Sequence, residues 1–171
     1  MDAFTGKLRS DVPGKAFYYT FPRYEKEVTD RHQWNLECAL GWGGASPIPN
    51  ESNLYTNSKM FDGKKSYSTT FMNPESVYFS SITVYDAQRY LFEDEDIENI
   101  NSNTWEVNSD NTVTISFNCG PDAKNNIDTK GQDYTFTLRY YGVTEQVIRA
   151  NNKDAVTNPL NPMFMMTEVT Q

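Results

Sequence analysis

The stretch VYFSSITVYDAQRYLFEDEDIE, residues 77–98, decides the fold class. Its first half is rich in Tyr, Phe, Val, Ile and Thr, the residues that fit a pleated, half-buried surface. The spacing predicts a strand over Tyr78–Tyr85. Asp86 and Ala87 then sit where a tight turn reverses a chain, because an Asp side chain bonds its own backbone there. Arg89–Phe92 is expected to return as the second strand of a hairpin. The stretch ends in acid: Glu93, Asp94, Glu95, Asp96 and Glu98. The question it poses is whether those carboxylates do chemistry or form the solvated end of the hairpin.

Working outward, the same strand-and-turn rhythm recurs. Strands are expected over Leu54–Thr56, Ser66–Phe71, Thr104–Val107, Thr112–Phe117 and Tyr134–Tyr141. Turn chemistry separates them in FDGKK, MNPES, NSDN and CGPDAKNN. WEVNSDNTVTISF reads as a further hairpin with NSDN as its turn. Many short strands at close spacing predict a mainly β chain: a jelly-roll-like antiparallel β-sandwich with one N-terminal α-helix. The helix is expected over residues 24–40, where Tyr24, Val28, Arg31 or His32, Leu36 and Ala39 recur at spacings of three and four. Gly41, Gly43 and Gly44 cap it, and SPIPN forbids its resumption.

The 171 residues suit a single domain. A mobile arm is expected over 1–15, the sandwich over 54–148 and an extended tail over 149–171. The tail carries two Asn-Pro steps and the cluster Met163–Met166, too apolar to hang in water. It is expected to pack on the sheet or on another subunit. Homo-oligomerisation, with a dimer as the default, follows from that cluster and from open strand edges.

Only 37% of the residues are hydrophobic and the mean hydropathy is −0.69. Ten Phe and eleven Tyr compensate, since each ring buries a large area. The net charge of −8 argues against nucleic acid, which needs a basic footprint, and against anionic membrane surfaces. No apolar run reaches the length of a membrane span, and the N-terminus lacks the apolar stretch of a signal peptide. A soluble chain is therefore expected, with its compartment open. Cys38 and Cys119 read as two free thiols, and Asn50–Ser52 fits a glycosylation sequon.

Catalytic signatures are sparse. His32 is the only histidine and has no carboxylate or second His four residues on. No nucleophile elbow is present, and the glycines at 41–44 lack the Lys-Ser/Thr of a phosphate loop. Histidine-rich metal sites are excluded by the count, and no cofactor is called for. The acidic run lacks both the Gly and the spacing of a calcium loop, so a solvated loop is expected. Asp94 and Asp96 are its calcium candidates.

Several segments resemble the family known as the domain of unknown function numbered 1214, over roughly residues 31–148. CALGWGGASPIPNESNLY is similar to its helix exit, with Glu51, Leu54 and Tyr55 in place. FDGKKSYSTTF resembles its Asp-Gly turn and following strand through Asp62, Gly63, Tyr67 and Phe71. VYFSSITVYDAQRYL resembles its most recognisable run through Phe79, Ser81, Thr83, Tyr85 and Asp86. YTFTLRYYG is similar to its closing strand, with Leu138, Arg139 and Tyr141 in register. The resemblance implies a jelly-roll sandwich and leaves the activity open. EDEDIENINS replaces the family's Asn-Pro-rich segment, and NNIDTKGQD replaces its Asn-Trp-Leu-Pro segment. The resemblance also implies a second β domain, numbered 1254, on the N-terminal side, for which these residues leave no room.

Jelly rolls often bind sugars on exposed aromatic rings. Trp42, Tyr90 and Trp105 are the candidates of that kind, each with a core or rim position as the plain alternative. Tyr85 and Arg139, from segments that carry the resemblance, complete the ligand-binding set. Three functions stay open: a module binding a small molecule, glycan or protein partner; an enzyme using carboxylates and tyrosines; and a structural subunit.

Overall fold

The computed structural model describes residues 31, 35, 53–94, 97, 99–144, 147 and 166–170. These form eight strands: β1 (Asn53–Asn57), β2 (Ser66–Met72), β3 (Phe79–Tyr85), β4 (Ile100–Asn101), β5 (Thr112–Phe117), β6 (Asn126–Ile127), β7 (Thr135–Tyr141) and β8 (Thr167–Val169). They make two four-stranded sheets, ordered β1-β7-β3-β4 and β6-β5-β2-β8. All pairs are antiparallel except β5 with β6.

Side-chain alternation explains why each strand has one inward face. In β3, Ser80, Ile82 and Val84 are buried, while Phe79, Ser81, Thr83 and Tyr85 lie half-buried on the other side. In β5, Val113, Ile115 and Phe117 are buried and Thr112 and Thr114 are not. Phe136, Leu138 and Tyr140 of β7 meet the same core. Phe117 of the second sheet stacks on Phe136 of the first, with centroids 5.1 Å apart. Tyr134 adds a stacked contact to Phe117 at 5.1 Å and another to Phe61 at 5.6 Å. Rings from both sheets thus fill the space between them, as expected of a chain with few aliphatic residues.

Beyond the two-residue β4, the edge of β3 away from β7 is covered by side chains. Asn99 Oδ1 accepts the Val84 N–H at 3.2 Å, and Ser102 Oγ accepts the Ser80 N–H at 2.9 Å. Two short connections therefore do the work of a full edge strand, removing donors that invite foreign pairing.

Several expectations need correction. Arg89–Phe92 is not a strand. The turn at Asp86 does form and closes with the Asp86 N–H on Tyr90 O, but Arg89–Phe92 makes no ladder with β3, which lies between β7 and β4 instead. Thr104–Val107 contributes only a bridge from Val107 to Val113, although the NSDN turn beside it is built as expected. There Asn108 N donates to Thr112 O at 2.8 Å, and Asn111 N donates to Asn108 O at 3.0 Å. The two-residue strands β4 and β6 fall outside every expected segment. The described residues contain no complete N-terminal helix: of residues 24–40 only Arg31 and Asn35 are described, both helical and exposed. The arm expected over 1–15 lies outside the described residues. So do Cys38, the Asn50–Ser52 sequon and Met163–Met165, while Cys119 is a free thiol.

Of the tail, Thr167–Val169 joins the edge of the second sheet as β8, opposite Ser66–Ser68. Met166 packs partly buried against the core. Lys65 Nζ bonds Glu168 Oε2 at 3.0 Å, which raises the Lys65 pKa above its ordinary value. No described helix is long and apolar enough to cross a membrane.

Candidate functional site

The outer face of the first sheet brings two of the candidates together. Arg139 on β7 lies opposite Ser81 on β3, and Tyr85 lies four residues further along β3, opposite Thr135. Inward and outward residues alternate, so all four project on the side away from the core. The Arg139 side chain runs along that face until its Nη2 donates to the Tyr85 hydroxyl. Its guanidinium carbon lies 5.7 Å from the Tyr85 ring centroid. Both residues are half-buried. Ser81 and Thr83 add hydroxyls along the same row, and Phe79 stacks on Tyr141 at its far end with centroids 4.4 Å apart. A planar five-donor cation, a phenol and a row of hydroxyls can bind oxygen-rich groups.

The remaining candidates are dispersed. Trp105 is 6% exposed, with its ring edge-on to Phe71 at 6.2 Å, so it is a core residue with no face for a ligand. Tyr90 is 73% exposed. It leaves the turn organised by Asp86, whose Oδ1 accepts the N–H of Gln88 at 2.9 Å and of Tyr90 at 2.8 Å. Trp42 lies outside the described residues. In the acidic run, Asp94 pairs with Lys130 at 3.1 Å, and Asp96 lies outside the described residues. Among the described residues no three His, Cys, Asp or Glu side chains group as metal ligands.

Sequence reasoning missed a second place. An open groove of about 660 Å³ is lined by Met60, Phe61, Asp62, Lys64, Ala87, Gly131 and Asp133. Three loops meet there: 58–64 before β2, the Asp86 turn after β3, and 128–133 before β7. They are tightly tied. Asp133 Oδ1 accepts the Gly63 N–H at 3.1 Å, and Asp62 Oδ1 accepts the Lys64 N–H at 2.9 Å. Asn118 gives its Nδ2 protons to Gly63 O at 2.9 Å and Thr129 Oγ1 at 3.1 Å, and its Oδ1 accepts the Thr129 N–H at 2.7 Å. Asn118 holds φ at 57°, a left-handed conformation that Asn tolerates better than most residues. A Cβ on Gly63 would stand 2.0 Å from Gln132 O, so only glycine permits this approach. In the sequence these positions showed only as turn residues.

With this geometry in view, the comparisons place the chain. A family model described as "Protein of unknown function (DUF1214)" matches residues 51–145, which hold β1 to β7 and both places just described. The chain belongs to this family. Membership in DUF1214 agrees with the sequence resemblance and adds no activity. The VPA0106 protein from Vibrio parahaemolyticus has a similar crystal structure, with a TM-score of 0.62 at 17% identity. The match covers 90% of this chain but 39% of that one, so the chain spans about two-fifths of its length. At that identity the likeness concerns the fold. An uncharacterized protein from Burkholderia cenocepacia matches over 56% of this chain and 26% of its own, at 16% identity and a TM-score of 0.43. No curated protein matches.

Proposed function

We propose that this member of DUF1214 is a jelly-roll binding module that takes an oxygen-rich small molecule, a glycan or a protein partner on the outer face of its first sheet. The jelly-roll reading is supported by the way the chain alternates between sheets: β1 in the first, β2 in the second, β3 and β4 in the first, β5 in the second and β7 back in the first. The observation that carries the binding reading is the Arg139–Tyr85 contact. A guanidinium laid along a sheet and fixed by a phenol is held in one geometry, and preorganised donors bind at lower entropic cost.

A thermal-shift screen of carboxylates, phosphates and saccharides tests this, run on the wild-type chain and on Arg139→Lys. Lysine keeps the charge and loses the planar fork. One compound class should raise the wild-type Tm, and that gain should vanish in Arg139→Lys. If no compound moves the wild-type Tm, or the variant responds like wild type, the reading fails.

A second reading, self-association, is favoured by β8. All three of its residues are exposed at the sheet edge, with Val169 38% exposed. Among the described residues β8 is the last strand of its sheet, the position at which a second copy could add a strand.

A further inference from the structure

We infer that the edge of β2 is a strand-accepting surface that takes residues 166–169 of a second copy, so that two chains associate by exchanging their tails. The inference rests on the self-association reading above and deepens it by naming the segment that crosses.

The acceptor is formed without the tail. β2 pairs with β5 over Tyr67–Met72 on its other side. At the start of the edge Ser66 Oγ donates to Asn118 O at 2.6 Å, and Asn118 is itself tied to Gly63 and Thr129. The backbone of residues 66–68 is therefore held ready for an extended chain, the arrangement by which peptides add to a sheet.

The fit of the tail to this edge is specific. Val169 stands opposite Ser66, Glu168 opposite Tyr67 and Thr167 opposite Ser68. Lys65 Nζ meets Glu168 Oε2 at 3.0 Å, and Met166 packs partly buried against the core. One charge and one apolar side chain thus mark the register, and a like charge in place of either partner would oppose it.

The hold is shallow. β8 has three residues, all exposed, whereas β3 and β7 pair over seven each. The ion pair lies at the surface, where such pairs contribute little. The covalent connection adds only local concentration. Residues 142–166 separate β7 from β8, and a segment of that length can span roughly 80 Å. A domain of this size has a radius of gyration of about 16 Å, so chain length does not confine the tail to its own sheet. Exchange keeps every tail contact and closes a two-fold pair. Pairing β8 with β8 would instead build a new ladder from three exposed residues.

The test uses full-length Lys65→Glu and Glu168→Lys, each alone and mixed in equal amounts. Within either variant the tail meets a like charge on its own edge. In the mixture both tails find an opposite charge, but only by crossing. Native mass spectrometry should show the heterodimer about tenfold more abundant than either homodimer, the effect of two surface repulsions turned into attractions. The double variant Lys65→Glu/Glu168→Lys restores the pair within one chain and should match wild type in Tm, which controls for folding. Ser68→Cys and Thr167→Cys add a second readout, since these positions face each other at disulfide distance. Peptide mapping of their oxidised mixture should find position 68 of one copy joined to position 167 of the other. If the two substitutions close a bond when placed in one chain but give none between chains in the mixture, the tail stays on its own sheet and exchange is overturned. A wild-type dimer without heterodimer preference would also overturn exchange, while leaving the self-association reading intact. Monomers in every sample would overturn both.

Discussion

Asp86 and Tyr134 show opposite ways in which one residue matters here. Asp86 holds its turn by accepting two backbone N–H groups, and its own N–H donates to Tyr90 O at 2.9 Å. Asp86→Ala removes the two side-chain bonds at a partly exposed site and should cost about 1 kcal/mol, measured by urea unfolding. Loss of ligand binding with unchanged stability would instead make Asp86 a contact residue. Tyr134 is fully buried between Phe61 and Phe117, and its hydroxyl has no hydrogen-bond partner among the described residues. Burial raises its pKa above the ordinary value of 10.0, since the phenolate would have to exist in the core. The sign follows: the unfolded chain ionises this tyrosine first, so its contribution to stability is complete below pH 10 and falls as the pH rises above it. Tyr134→Phe should be neutral or slightly stabilising near pH 7, because it removes an unpaired polar atom. It should also flatten the loss of stability above pH 10. A marked fall in Tm at neutral pH would show that the hydroxyl is bonded in solution.

Elements with a local code were legible in the sequence, and those held by distant partners were not. The strand expected over Tyr78–Tyr85 and the turn at Asp86 rest on residue preference and on an Asp bonding its own loop, and both are present. The return strand at Arg89–Phe92 is absent because pairing is a tertiary decision: β7 and β4 occupy the two edges of β3. β4 and β6 have two residues each, too short to leave a pattern. Tyr85 and Arg139 were candidates, but their meeting depends on the register of β3 against β7, which no local spacing encodes. The groove was hidden for the same reason, since its loops are far apart in sequence. Gly63 illustrates the point. FDGKK marks a turn, while the need for glycine comes from Gln132, on another loop. Gly63→Ala should therefore cost about 1–3 kcal/mol, the scale of an overpacked site. Measured stability equal to wild type would mean that the loops can part without loss, and the groove would not be rigid.

At the scale of the whole molecule, two sheets share one aromatic core. The tail contributes β8 to the second sheet and Met166 to the core. A chain ending at Asn158 loses both, and should show a lower Tm together with a newly opened β2 edge. If the tail also carries self-association, light scattering should give a dimer for the intact chain and a monomer for the shortened one. A dimer from both would place the contact at another edge. In the acidic run that closes the opening stretch, Glu93 is exposed, Asp94 pairs with Lys130 and Ile97 is buried in the core, while Glu95, Asp96 and Glu98 lie outside the described residues. Calcium should accordingly give no saturable heat at about millimolar concentration. The binding face itself is tested most directly by mapping amide shifts of the full chain with the compound that most raises its Tm. The shifts should run along Ser81, Thr83, Tyr85, Thr137 and Arg139, and disappear in Arg139→Lys. Shifts that avoid this row, or that persist unchanged in the variant, would contradict the assignment of the face as the binding surface.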